Sequence, residues 1–97
     1  MTVEIDHDHT AFTKAVAAEI KEQREFLGWT YADLARAADS DGQTIKKIES
    51  GSVSPKSYTV RRLAHALDLH HDELISLVEK RLSDSSGSDL AVDGIDL

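Results

Sequence analysis

Apolar residues recur at intervals of three and four along most of this chain, and no stretch shows the period-two alternation of a strand. The pattern predicts helices throughout. The first runs from about Phe12 to Leu27, with Phe12, Val16, Ile20 and Leu27 on one stripe and Gly28 stopping it. Thr30 starts a short second helix, in which Asp33 stands where a capping-box partner belongs and Leu34, Ala35 and Ala38 face inward. Asp39-Ser40-Asp41 is a turn, and Asp41 is placed to cap a third helix that ends at Gly51. Ser52 to Lys56 form a loop, with Pro55 suited to the first turn of the next helix. The fourth helix, about Ser57 to Leu67, buries Val60, Leu63, Ala64 and Leu67. The fifth, about His71 to Leu82, carries Leu74, Ile75, Leu77, Val78 and Leu82. No repeat is evident. The expected fold is an all-α, five-helix bundle over residues 12–82. An acidic segment, 1–11, precedes it, and a flexible acidic tail, 83–97, follows.

A chain of 97 residues fits one domain. Its 40% apolar and 30% charged residues are an ordinary globular mixture. No window approaches the roughly 18 uninterrupted apolar residues of a membrane span. The first residues lack the basic start and apolar run of a secretory signal. There is no Cys, which excludes disulfides, a thiol nucleophile and Cys-ligated zinc, and suits a reducing cytoplasm, the expected location.

A net charge of −7, taken whole, speaks against a polyanion partner. The distribution reverses that reading. Residues 1–11 carry −3 and residues 83–97 carry −4, so the middle is neutral. Within it, Lys46, Lys47, Lys56, Arg61 and Arg62 face a single acid, Glu49, between Gln43 and Arg62. A basic block on an otherwise acidic domain is the electrostatic mark of a polyanion site. A solvated helix face would account for the same charges.

Helical geometry favours the first account. At about 100° per residue, Ile45 and Ile48 lie about 60° apart and define the buried side of the third helix. Gln43, Lys46, Lys47 and Ser50 point away from it, a face without an acid. Gly42 adds no side chain and allows close approach to a base edge or phosphate. An α-helix fits the major groove, where Gln pairs with adenine N6/N7 and Lys donates to guanine O6/N7. Gln43 and Lys46, with Gly42, are therefore the expected base readers. Lys47, Ser50, Lys56 and either or both of Arg61 and Arg62 are expected on phosphates, which position the helix without reading sequence.

Two short helices joined by a tight turn, the second beside a basic block, are the helix-turn-helix layout. Leu34-Ala35-Arg36-Ala37-Ala38, Thr44-Ile45-Lys46-Lys47-Ile48-Glu49-Ser50-Gly51, Pro55 and Arg62-Leu63-Ala64-His65-Ala66-Leu67 together resemble the Xre family, the Cro and lambda-repressor-like DNA-binding domains. Each piece alone is weak; at these spacings the combination is specific. The resemblance implies a lambda-repressor-like fold and double-stranded DNA as partner. It implies a phosphate contact at the start of the second helix, where Tyr31 replaces the family's Gln and lacks its bridging amide. It also implies a salt bridge between Arg24 and Glu49, a pair worth about 0–1 kcal/mol if exposed. Asp39 and Asp68 stand where the family usually has Gly, and Asp tolerates left-handed backbone better than most residues. Ser40 and Gln23 replace usual apolar residues, which points to a slightly underfilled core. Trp29 is expected to pack beneath the second helix.

Rival chemistry is thin. His7-Asp8-His9 and His70-His71 suggest a metal, but a structural site needs four ligands held in place. Neither a Gly-rich phosphate loop nor a nucleophile elbow nor an inward carboxylate pair appears, so neither an enzyme nor a cofactor is expected. No basic amphipathic helix suits a membrane surface. The serious alternative is an antitoxin of a toxin–antitoxin pair, whose tail, here Leu90 to Leu97, orders on a protein partner while the domain autoregulates its operon. The apolar stripe of the fifth helix, about 160° wide, exceeds one packing face and assigns Ile75 and Leu82 to a homodimer contact. The expected function is a sequence-specific transcriptional regulator, a small phage-type repressor on a palindromic operator, with no further domain for ligand sensing.

Overall fold

Five α-helices follow one another, with no strand among the described residues: α1 Thr2–Phe26, α2 Tyr31–Ala37, α3 Gly42–Glu49, α4 Ser57–Ala66 and α5 His71–Asp96. The computed structural model describes the backbone of residues 2–96 and the side chains of residues 10–84. Every helix sends at least one side chain fully into a common core: Val16 and Ile20, Leu34, Ile45, Leu63, then Leu74 and Val78. Burial of each contributes roughly 1.5–3 kcal/mol, so the short helices α2 and α3 are stabilised by packing more than by propensity. α1 packs on α5 and α3, α2 on α3 and α4, and α4 on α5.

All four turns are built alike. Gly28, Asp39, Gly51 and Asp68 have φ of +73°, +56°, +78° and +63°, and each follows a helix. In each case the next residue's N–H reaches back to the last turn: Trp29 to Arg24 O, Ser40 to Ala35 O, Ser52 to Lys47 O and Leu69 to Ala64 O. These are Schellman closures, which satisfy carbonyls left open at a helix end. Asp at two of the four positions reproduces the left-handed turn without glycine. Starts are equally local. Thr30 and Asp33 exchange both bonds of a capping box, and Asp41 accepts from the Thr44 N–H at 2.9 Å.

Several expectations need correction. Leu27, placed on the core stripe, is 41% exposed. Its N–H bonds both Gln23 O and Arg24 O as α1 ends, and the chain leaves at Gly28 before Leu27 can reach the core. Pro55 lies outside the first turn of α4, whose N-cap is Lys56 without a side-chain cap bond. The helical backbone of α1 starts well before Phe12, and that of α5 runs on past Leu82. Neither end contains Pro, Gly87 and Gly94 weaken a helix without forbidding it, and extending a helix avoids the cost of nucleation. Ile75 and Leu82 are half-buried against the core, so the core itself takes up part of the wide stripe that suggested a dimer contact. Trp29 packs there too.

One tie between α1 and α5 left no trace in local spacing. Arg81 donates from Nε to Glu19 Oε1 at 2.7 Å and also pairs with Glu22. Gln23, where an apolar residue was expected, donates to the other Glu19 oxygen at 2.8 Å. A carboxylate with only 6% of its side chain exposed is thereby fully paired.

Candidate nucleic-acid interface

Ile45 and Ile48 hold α3 to the core at 1% and 2% exposure, which turns Gln43, Lys46, Lys47 and Ser50 to solvent. The α3 N-terminus is closed by Asp41, which takes hydrogen bonds from both the N–H and the hydroxyl of Thr44. Those bonds, the backbone one foremost, hold the Asp41 carboxyl below its usual range. Asp41 is therefore tied to the cap. Gly42 has room around it: a Cβ there meets only Tyr31 Cβ at 3.9 Å, an ordinary contact. The fold does not require glycine at this position.

The one acid of α3 is withdrawn from the outward face. Glu49 has 3% of its side chain exposed and receives two bonds from Arg24, Nε to Oε2 at 2.6 Å and Nη2 to Oε1 at 2.9 Å. Arg24 Nη1 also donates to Trp29 O at 2.6 Å, and its guanidinium stacks on Tyr31 at 4.6 Å. The Glu49 hydrogen bond raises the pKa of Arg24 against the opposing pull of desolvation. This bridge is buried rather than exposed, so the small contribution of a surface pair does not describe it. One side chain thus ties the end of α1, the turn to α2, the first residue of α2 and the last residue of α3.

The basic block does not act as a unit. Lys46 and Lys47 share the outward face of α3, and Lys56 is exposed at the start of α4. Lys14, exposed on α1, passes its side chain by Gly51, its Cγ 3.9 Å from where a Cβ would stand. Ser50, expected on a phosphate, donates instead to Lys47 O at 2.8 Å and bonds the Ser52 hydroxyl. Arg62 is likewise engaged, with Ala38 O, Asp39 O and the Asp39 carboxylate. Arg61 and Arg62 line an open groove of about 940 Å³ between the end of α2, α4 and the turn to α5, to which α3 contributes nothing. Arg61 and Arg62 thus border a groove that α3 does not line. The cause is rotational: α4 begins only at Ser57, and its own packing through Val60 and Leu63 decides where its arginines point.

Among the described residues no group of three His, Asp or Glu could hold a metal ion, and His7 and His9 lie outside the described side chains. Leu90 to Leu97, on which the toxin-binding alternative rests, lie outside them as well. No helix searched is long and apolar enough to cross a membrane.

A family model described as Helix-turn-helix matches residues 20–74, which span α2, α3 and α4 together with parts of α1 and α5. The chain belongs to the Xre-like helix-turn-helix family, a class of DNA-binding transcriptional regulators. An uncharacterized HTH-type transcriptional regulator of Methanothermobacter thermautotrophicus is 36% identical over 61 residues, 63% of this chain and 88% of that protein. Two crystal structures of the clp gene regulator ClgR from Corynebacterium glutamicum share the fold. One has a TM-score of 0.71 at 21% identity, covering 82% of this chain and 86% of that one. The other has 0.66 at 20% identity, covering 72% and 91%.

Proposed function

We propose that this helix-turn-helix protein is a sequence-specific, phage-type repressor that binds a palindromic operator as a homodimer, with α3 in the major groove. What carries the reading is the outward face of α3: Gln43, Lys46 and Lys47 are all exposed, and the one acid within α3, Glu49, is paired beneath them with Arg24. Gln43 and Lys46 read base edges, and Gly42 allows the helix start to approach them. Lys47, Lys56 and the Tyr31 phenol hold phosphates and set the register. Two such helices about one DNA turn apart require a two-fold dimer, with what remains exposed of Ile75 and Leu82 as its contact. Selection of binding sites from random duplex DNA tests all of this: recovery of an inverted repeat is the expected result. Recovery of no preferred sequence, with only salt-sensitive general binding, overturns it.

A further inference from the structure

We propose that Arg62, on α4, is the positioning residue that sets the angle between α2 and α3, and so the pose in which α3 meets DNA. The inference rests on α3 being the DNA-reading helix.

Three partners converge on this guanidinium. Nη2 donates to Ala38 O at 2.5 Å and to Asp39 O, and it pairs with Asp39 Oδ2 at 3.3 Å. The same group lies over the Tyr58 ring, 5.3 Å from its centre. Ala38 is the C-cap of α2, and Asp39 is the residue of φ +56° at which the chain reverses. Two residues later Asp41 caps α3. Arg62 therefore grips the hinge of the helix-turn-helix itself, from a helix that stands outside it.

The chemistry explains why a brace is useful at this turn. α2 has seven residues, its last carbonyls have no partner within the helix, and partial negative charge collects there. Asp39 holds a left-handed conformation that glycine would adopt more readily. Ser40, next in the turn, is exposed and anchors nothing in the core. A cation on the terminal carbonyls offsets all three weaknesses. Arginine suits the task better than lysine, since Nη2 reaches one bond farther along the side chain than an ammonium and the planar group stacks on an aromatic ring.

Arg62→Lys and Arg62→Met in the full chain, with folding checked by circular dichroism, separate this role from a phosphate contact. Lysine preserves a phosphate contact but loses the reach of Nη2 and the stacking. In the free protein, both variants are expected to exchange the Ser40 amide, now bonded to Ala35 O at 2.7 Å, faster than wild type. On selected operator DNA, both are expected to bind about tenfold weaker, with the slope of log affinity against log salt unchanged. Wild-type affinity in Arg62→Lys, a slope reduced by about one phosphate, or unchanged Ser40 exchange overturns the proposal. Failure of the wild-type chain to bind any DNA overturns the underlying functional reading; Ser40 exchange then still decides whether the brace exists. Should Arg62→Met not fold, Tyr58→Leu removes only an exposed stacking surface, and the same readouts are expected to move the same way by less; no movement in them overturns the proposal.

Discussion

The guanidinium of Arg24 closes on the carboxylate of Glu49 across 25 positions of sequence, at 2.6 and 2.9 Å, with 10% and 3% of the two side chains exposed. Removing one partner strands the other in a poorly solvated place, which typically costs about 3–5 kcal/mol. Glu49→Gln and Arg24→Met should each lower the unfolding free energy from urea melts by such an amount. The double variant Arg24→Met/Glu49→Leu should recover much of it, because no lone charge is left behind. Equal losses in single and double variants would show that the pair is not coupled.

Lys46 and Lys47 are neighbours on one face but have different assigned roles. Lys46→Ala should weaken operator binding and relax preference at one base pair, a loss of about 1–3 kcal/mol confined to the selected sequence. Lys47→Ala should weaken operator and random DNA alike and shallow the salt dependence by about one phosphate. Fluorescence anisotropy on both DNAs over a salt series makes the comparison; identical profiles for the two variants would remove the distinction.

Gly42→Ala separates folding from recognition. A Cβ there finds only ordinary contact with Tyr31, and alanine is the better helix former. Thermal stability should hold or rise, by up to about 1 kcal/mol, while operator affinity falls if α3 needs close approach at its start. Unchanged affinity would place the DNA away from the α3 N-terminus.

The caps predict an acid limb in the stability profile. Asp33 and Asp41 both lie below the ordinary carboxyl value of 3.8, chiefly because the N–H groups of Thr30 and Thr44 donate to their ionised forms. A folded-state value below the unfolded one means stability that is complete above the ordinary value and lost as pH falls through the lowered one. Melting temperature should therefore drop as pH goes below about 4. Asp33→Asn/Asp41→Asn should flatten that limb while costing stability at neutral pH. A limb of unchanged slope would assign the acid sensitivity to other carboxylates.

Glu19 and Arg81 join α1 to α5, outside α3. Arg81→Met leaves Glu19, with 6% of its side chain exposed, without its cation and should destabilise by about 2 kcal/mol. DNA affinity of the folded fraction should not change. A denaturant melt and a binding isotherm on the same sample test both halves, and a specific loss of binding would mean that α5 influences the pose of α3.

Much of the candidate site was legible because it depends on short-range rules. Ile45 and Ile48 orient α3 by helical periodicity alone, so the exposure of Gln43, Lys46 and Lys47 follows from spacing. Thr30, Asp33 and Asp41 act within three residues of where they stand. The intramolecular partners of Arg62 were not legible, because a charge count along the chain carries no direction and its acceptors lie 23 and 24 residues away. Leu27 was misassigned because periodicity knows nothing of where a helix ends in space.

By itself the sequence determined the number of helices, the N-caps of α2 and α3, most of the side each helix buries, and which residues α3 turns outward. Those are consequences of a repeat of about 3.6 residues and of bonds reaching only three or four positions. The pairing of Glu49 with Arg24 was implied by the family resemblance, and the structure has it. The tertiary structure alone decided that this pair is buried, that Glu19 finds Arg81, and that the turn at Asp39 is held from α4. Such pairings depend on how helices rotate as their apolar stripes close on a shared core, and no interval along the chain encodes that rotation.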